Sequence, residues 1–251
     1  MALTDNLIAA LELDEASGNA IDSHGANDFS DNNTVGAGTG LVHANARDFE
    51  AANDEYFSLA DNTDLSLSDI DCTVEAWVNL ESKDEHKSIY ARWSATGNEW
   101  LLRYNASSDR FELYVSNGTD FPNVVANNLG IPSTATWYHI IAWHDSVNNL
   151  IGIEVNDGTA DTAAYANGIA DSATPTYIGR ADHATANRFD GLMGPIRFWK
   201  RMLTSAERTS LYNGGAGLAY SAFTAATGPI GARSICVPHI GRSLVTGGRC
   251  G

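Results

Sequence analysis

The stretch RMLTSAERTSLYNGG, residues 201–215, carries the clearest helix signal in a chain that otherwise has the pattern of β-strands. Thr204 and Glu207 have the spacing of a capping box, in which each side chain bonds the backbone of the other residue. Leu211 gives the helix an apolar side, and Gly214 supplies a left-handed stop. A helix this short is unstable alone in water. We therefore expect it to cover one open end of a β-sandwich; a helix that binds a partner is the alternative.

Short segments with alternating apolar side chains fill most of the remaining sequence. TVEAWVNL (73–80) places Val74, Ala76 and Val78 on one face and Trp77 on the other. Similar segments are SIYARW (88–93), EWLLRY (99–104), RFELYV (110–115), TWYHIIAW (136–143), LIGIEVNDG (150–158), TPTYIG (174–179) and MGPIRFWKR (193–201). The NDG at 156–158 predicts a hairpin. Short strands separated by turns predict an all-β sandwich or jelly roll.

Charge and hydropathy exclude several classes of partner. The 251 residues carry a formal net charge of −16, which disfavours contact with nucleic-acid phosphates. No apolar run approaches the roughly 18 residues of a membrane span. The N-terminus lacks the basic start of a secretory signal peptide. We therefore expect neither a nucleic acid nor a membrane as partner. Cys72, within an alternating strand, is expected to be a buried small hydrophobe.

Four segments resemble, in the same order, the laminin-G-like, concanavalin-A-like jelly-roll domains. They are ALELDEASGNAIDSHGAND (10–28), FSLADNTDLSLSDIDCTVEAWVNL (57–80), TWYHIIAWHDSVNNLIGIEVNDG (136–158) and FDGLMGPIRFWKRMLTSAERTSLYNGGAG (189–217). The resemblance implies an all-β jelly-roll sandwich over residues 1–220 with one short C-terminal helix. Residues 221–251 form a C-terminal extension beyond it.

Some enzymes on this fold use a Glu-x-Asp-x-x-Glu strand motif, whose alternation points two carboxylates at one face. DIDCTVE (69–75) has a different spacing and begins with Asp69 rather than Glu. We expect Glu75 to be a solvated residue and His139 to be a packing residue. No catalytic residues are assigned, and the chain is predicted not to be an enzyme.

The resemblance also implies a Ca²⁺ ion at the sandwich rim, held by the oxygen ligands that this cation prefers. The family's acidic pair after Phe-x-Gly is missing, since Met193, Gly194 and Pro195 follow here. The remaining candidates in matching loops are Asp22, Asp28 and Asp48. Calcium is thus a possible cofactor, and no other cofactor is expected.

Carbohydrate binding uses exposed aromatic rings, which stack on sugar rings, together with polar side chains that bond the hydroxyls. Strand alternation makes Trp77 and Trp100 the tryptophans expected to leave the apolar face, and Arg103 and Tyr104 share the Trp100 strand. These four residues form the predicted glycan site. Packing of each tryptophan in the core is the alternative.

The extension at 221–251 is rich in Gly and small residues, and it carries Arg233, Cys236, Arg242 and Cys250 without an acidic residue. One reading is disorder; the other is an assembly arm that packs on a neighbouring subunit, with the two cysteines as a possible staple. The LYNGGAG ending (211–217) resembles that of laminin-G-like domains found in phage structural proteins. This resemblance and the basic arm favour a structural protein of a bacteriophage virion, such as a capsid decoration or fibre protein, in a homo-oligomer or with capsid or tail proteins. Such a protein could also present a weak glycan site outward. The alternative is a carbohydrate-binding or adhesive module at a cell surface, with a polysaccharide as partner.

Overall fold

The computed structural model describes residues 1–95, 97–182 and 187–226, the last three without their side chains. In this part of the chain, two antiparallel β-sheets pack face to face as a sandwich, and one α-helix follows the last strand. The predicted all-β sandwich with one short C-terminal helix is confirmed. No helix within the described residues combines the length and the apolar character that crossing a membrane requires.

The first sheet has eight strands, numbered along the chain. In spatial order, seven of them are β13 (Asp161–Ala164), β12 (Leu150–Val155), β11 (Trp137–Asp145), β6 (Cys72–Leu80), β15 (Gly191–Trp199), β4 (Asn45–Phe49) and β3 (Gly36–Thr39). The eighth strand, β1 (Leu7–Leu11), pairs with the second half of β15, on the side opposite β6. A late strand therefore lies in the middle of this sheet.

The second sheet has seven strands. Their spatial order is β10 (Asn123–Val125), β9 (Arg110–Val115), β8 (Gly97–Asn105), β7 (Lys87–Ser94), β14 (Thr176–Ile178), β5 (Tyr56–Leu59) and β2 (Ser30–Asn32). Short 3₁₀ turns cover Ala51–Asn53, Asn213–Gly215 and Tyr220–Ala226.

The core lies between the sheets and follows the alternation of the strands. Val74, Ala76 and Val78 of β6 face it, as predicted, and the buried thiol of Cys72 joins them. Burial raises the pKa of that thiol to about 12, so it stays protonated at neutral pH. The NDG segment forms the predicted hairpin between β12 and β13, with Asn156 and Asp157 in the left-handed region.

Helix α1 (Ser205–Tyr212) begins with the predicted capping box between Thr204 and Glu207. The left-handed backbone at its end starts at Asn213, one residue before the predicted Gly214. The sequence predicted that the helix covers an open end of the sandwich, and this prediction is wrong. Leu211 packs instead on the outer face of the eight-stranded sheet, against buried side chains such as Trp199.

Residues after the helix complete this cover. Phe223 is buried against Trp199, with ring centroids 6.5 Å apart, and Arg197 lies over the Phe223 ring. The packed body therefore extends past the boundary at residue 220 that the sequence suggested. As a result, the outer face of the eight-stranded sheet is largely closed to solvent.

Candidate functional site

The outer face of the seven-stranded sheet carries a row of residues in register across its strands. Tyr177 pairs with Ala91, Ala91 with Leu101, and Leu101 with Tyr114. Ala91 and Leu101 are both buried and pack with Trp93 and Ala181, so the middle of the row is apolar. Aromatic side chains therefore flank an apolar strip on both sides.

One end of this row holds an aromatic cluster, which we define as Trp93, Tyr114 and Phe121. The Trp93 ring centroid lies 6.2 Å from that of Tyr114 and 5.8 Å from that of Phe121, both in edge-to-face contact. Phe121 is 48% exposed, whereas Trp93 is buried, with 8% of its surface exposed. The alternation of β9 explains the position of Tyr114, because Phe111 and Leu113 point into the core.

Arg103 borders the aromatic cluster and brings polar groups to it. Its guanidinium carbon lies 5.1 Å from the centre of the Tyr114 ring, which is a cation–π distance. Its Nε donates a hydrogen bond of 2.8 Å to Glu112, a buried carboxylate that also accepts from Asn105. An aromatic ring, a donor-rich guanidinium and a carboxylate thus stand side by side.

A second group of similar chemistry lies at the other end of the row. Tyr56 and Tyr177 have ring centroids 6.0 Å apart, and the Arg180 guanidinium lies 4.6 Å from the centre of the Tyr56 ring. Arg180 donates to Asp182 at 2.9 Å, and Asp54 lies 3.7 Å from the same guanidinium. Arg188 also donates to Asp54.

The structure corrects the predicted glycan site of Trp77, Trp100, Arg103 and Tyr104. Trp100 and Tyr104 are 0% and 1% exposed and point into the core between the sheets, because β8 turns its even-numbered residues inward. Arg103, with the opposite parity, is the one residue of the four that lies on the outer face of the seven-stranded sheet. The sequence identified the correct strand but the wrong side of it.

Trp77 does leave the inner face, as predicted, yet it is only 1% exposed. The Tyr212 ring at the end of α1 stacks parallel to it, with centroids 6.1 Å apart, and His139 packs at 4.9 Å. Gly217 completes the cover, since a Cβ there would lie 2.4 Å from Val42 and 3.3 Å from the Trp77 ring. Strand alternation alone does not reveal such a later covering element.

Glu75 is buried, contrary to the expectation of a solvated residue. It accepts a hydrogen bond of 3.0 Å from Arg197 and lies 3.0 Å from Nε2 of His139. Arg197 also donates to both oxygens of Glu12. Burial alone would raise the pKa of Glu12, but the charge and hydrogen bonds of Arg197 hold it below its ordinary value.

The three predicted calcium ligands do not form one site. Asp22 accepts backbone hydrogen bonds from Ala10, His24 and Asn27, which lower its pKa against the opposing effect of burial. Asp28 accepts from the backbone of Asp22 itself. Both aspartates therefore hold the N-terminal loop together, and Asp48 lies elsewhere.

Asp48 instead joins Glu50 and Glu81, with one carboxylate oxygen from each within 4.8 Å of the others. Partial burial raises the pKa of Asp48, and the neighbouring carboxylates, first among them Glu81, raise it further. Carboxylate oxygens of this kind suit Ca²⁺. The calcium prediction therefore stays a prediction, with this acidic group as the place to test it.

Sequence reasoning missed Tyr114, Phe121 and the second group around Tyr56. The signal for Tyr114 was present in RFELYV, where its parity is opposite to that of three apolar residues. Phe121 follows a loop after β9, so no alternation marks it. The predicted arm residues Arg233, Cys236, Arg242 and Cys250 lie outside the described residues.

Several solved structures share the fold. The binding domain of Paraclostridial Mosquitocidal Protein 1 has a TM-score of 0.68 and 14% identity over 85% of this chain and 53% of its own length. The receptor-binding domain of botulinum neurotoxin D has a TM-score of 0.63 and 12% identity over 84% and 53%. This chain therefore spans about half the length of these toxin domains.

A shorter similar structure is domain 4 of AbnA, an extracellular GH43 arabinanase from Geobacillus stearothermophilus, solved with arabinotriose. It has a TM-score of 0.61 and 16% identity, and the match covers 82% of this chain and 97% of that domain. No curated protein sequence matches the chain. The Laminin_G_3 family model, described as the concanavalin A-like lectin/glucanases superfamily, matches residues 51–207. That match covers more than half of the chain, which therefore belongs to this superfamily.

Proposed function

We propose that this protein is a non-catalytic carbohydrate-binding module whose ligand lies on the outer face of the seven-stranded sheet. The observation that carries the proposal is the aromatic cluster with Arg103 beside it. Aromatic faces stack on the C–H groups of sugar rings, and a guanidinium donates to their hydroxyls. The other outer face lacks this capacity because α1 and the residues that follow it cover it.

The state of the buried carboxylates supports a non-catalytic role. Glu12 and Glu75 are both engaged by Arg197, and α1 with its following residues covers their side of the sheet. A retaining or inverting glycosidase needs two carboxylates that reach the substrate from either side of the bond. This ion-paired group serves the packing of strands instead.

The similar structures support the same class of function without establishing it. One was solved with arabinotriose, and two are binding or receptor-binding domains of toxins. At 12–16% identity these structures share the fold with this chain, and the binding of similar ligands by this chain is part of the proposal. Arabinotriose is accordingly one of the probes that we choose.

The test is calorimetric titration with arabinotriose, cellohexaose and mannohexaose, preceded by a screen on an array of immobilised glycans. We expect at least one neutral oligosaccharide to bind, and Tyr114→Ala to weaken that binding about tenfold by removing the stacking ring. Val147→Ala is the matched control, because Val147 is 76% exposed in the turn between β11 and β12. Absence of binding to the array and to all three sugars would overturn the proposal.

A further inference from the structure

The arginines that border the aromatic side chains of this face already have carboxylate partners. Arg103 donates to Glu112, Arg180 donates to Asp182, and Arg188 donates to Asp54. The Arg103 side chain is only 13% exposed and Glu112 is 1% exposed, so solvent screens this pair weakly. Each group therefore presents charged side chains to a ligand, although the net charge of the group is close to zero.

A paired guanidinium and carboxylate suit an uncharged sugar better than an anionic one. A sugar hydroxyl both donates and accepts, so it bonds equally well to an arginine or to the exposed carboxylate of Asp182. A sugar carboxylate accepts only, and it meets the negative partner at close range as well as the arginine. The formal net charge of −16 adds a repulsive field for any anion that approaches.

We propose, on the basis of the proposed carbohydrate-binding function, that this face selects neutral glycans and rejects their carboxylated counterparts. The selectivity arises because Glu112 and Asp182 neutralise the arginines next to the tyrosine rings. Removal of either carboxylate leaves a net positive charge beside an aromatic ring, since one carboxylate, Asp54, then faces both Arg180 and Arg188 in the second group. A net positive charge favours an anionic sugar.

The experiment compares cellohexaose and mannohexaose with the same oligosaccharides after oxidation of C6 to a carboxylate. At low ionic strength, the wild-type protein should bind the better neutral sugar at least about tenfold more tightly than its oxidised form. Glu112→Gln should reduce this ratio several-fold while circular dichroism shows an unchanged fold. Asp182→Asn, at an exposed position, provides a second variant that folds even where Glu112→Gln does not.

The outcomes separate this inference from the function on which it rests. Equal or tighter binding of the oxidised sugars by the wild-type protein would overturn the selectivity and leave carbohydrate binding intact. A neutral preference that neither variant reduces would show that the pairs are not its source, and it would also overturn the inference. Failure of both neutral and oxidised sugars to bind would count against the proposed function, and the inference would fall with it.

Discussion

Arg197, on the central strand β15, joins the strands on both of its sides by donating to Glu12 and to Glu75. Glu12 follows the last residue of β1, and Glu75 lies opposite Arg197 in β6. The guanidinium has no exposed surface. Burial alone would lower its pKa, but the two carboxylates raise that pKa above its ordinary value. One cation therefore pairs with two buried anions from distant parts of the sequence.

Arg197→Met should destabilise the fold by about 3 kcal/mol or more, because it removes the guanidinium that pairs with two buried carboxylates. The free energy of unfolding in urea measures the effect. A triple variant that adds Glu12→Gln and Glu75→Gln should recover much of this loss, since it also removes the stranded charges. If Arg197→Met unfolds at the wild-type urea concentration, this ion-paired group makes no contribution to stability.

The pH dependence of stability should carry the signature of Glu12. Its pKa is lower in the folded protein than in the unfolded chain, so its contribution is fully present above the unfolded value. That contribution is lost as the pH falls below about 4.3, the ordinary value for glutamate, towards the lower folded value. Glu12→Gln should thus flatten the fall of Tm between neutral and acid pH, although it lowers Tm at neutral pH. Val147→Ala, at an exposed apolar position, is the control that should leave the slope unchanged.

The acidic group of Asp48, Glu50 and Glu81 should affect the pH dependence of stability in the opposite direction. Because folding raises the pKa of Asp48, its stabilising effect is present at low pH and is lost as the pH rises through the folded value. Asp48→Asn should therefore raise Tm slightly at pH 7 and leave it unchanged at acid pH.

Calcium provides a second readout at the same group. If this group binds Ca²⁺, the ion should raise Tm in the wild-type protein and have little effect in Asp48→Asn. Asp22→Asn is the comparison, because the Asp22 carboxylate is occupied by backbone donors. This substitution should lower Tm without changing the response of Tm to Ca²⁺. Equal Tm values with and without Ca²⁺ in the wild-type protein would contradict the calcium prediction.

Trp100 and Tyr114 should separate structural from binding effects. Trp100→Ala should destabilise the fold by about 3 to 5 kcal/mol, because it opens a cavity between the sheets. Tyr114→Ala should change stability much less and should weaken glycan binding. Trp100→Phe is the milder control, which should keep most of the affinity. Loss of binding in a stable Trp100→Phe variant would argue against the assignment of the outer face.

Assembly through the C-terminal extension stays a prediction. Its test compares the mass in solution of the full chain with that of a chain ending at residue 226, because a cut at 220 would remove the buried Phe223. An assembly that is lost in a folded, shortened chain would support the arm, and equal masses would contradict it.

Local signals predicted an all-β sandwich, and the resemblance of four segments to a known domain family identified its type. The capping box at Thr204, the NDG turn and the alternation in β6 and β9 each depend on neighbours in sequence, and the structure confirms them. The site depends on contacts between distant residues. Trp77 has the parity of an exposed residue, but Tyr212 covers it from a distance of more than a hundred positions.

Parity itself was the difficulty at Trp100. EWLLRY alternates poorly, because Leu101 and Leu102 are both apolar, and either face of β8 could have been the inner one. Pairing fixes the answer, since Leu101 lies beside Ala91 and Tyr114 on the outer face. The ion pairs of Arg197 likewise required knowledge of which strands flank β15.

The position of β15 also determines when this domain can fold as it leaves the ribosome. β1, β4 and β6 are synthesised early, yet each pairs with a strand that ends only at Trp199. Until that strand emerges, Glu12 and Glu75 lack their cation and the first sheet has a gap at its centre. Folding is consequently delayed until β15 has been synthesised, and it proceeds through contacts of long sequence separation, which close slowly.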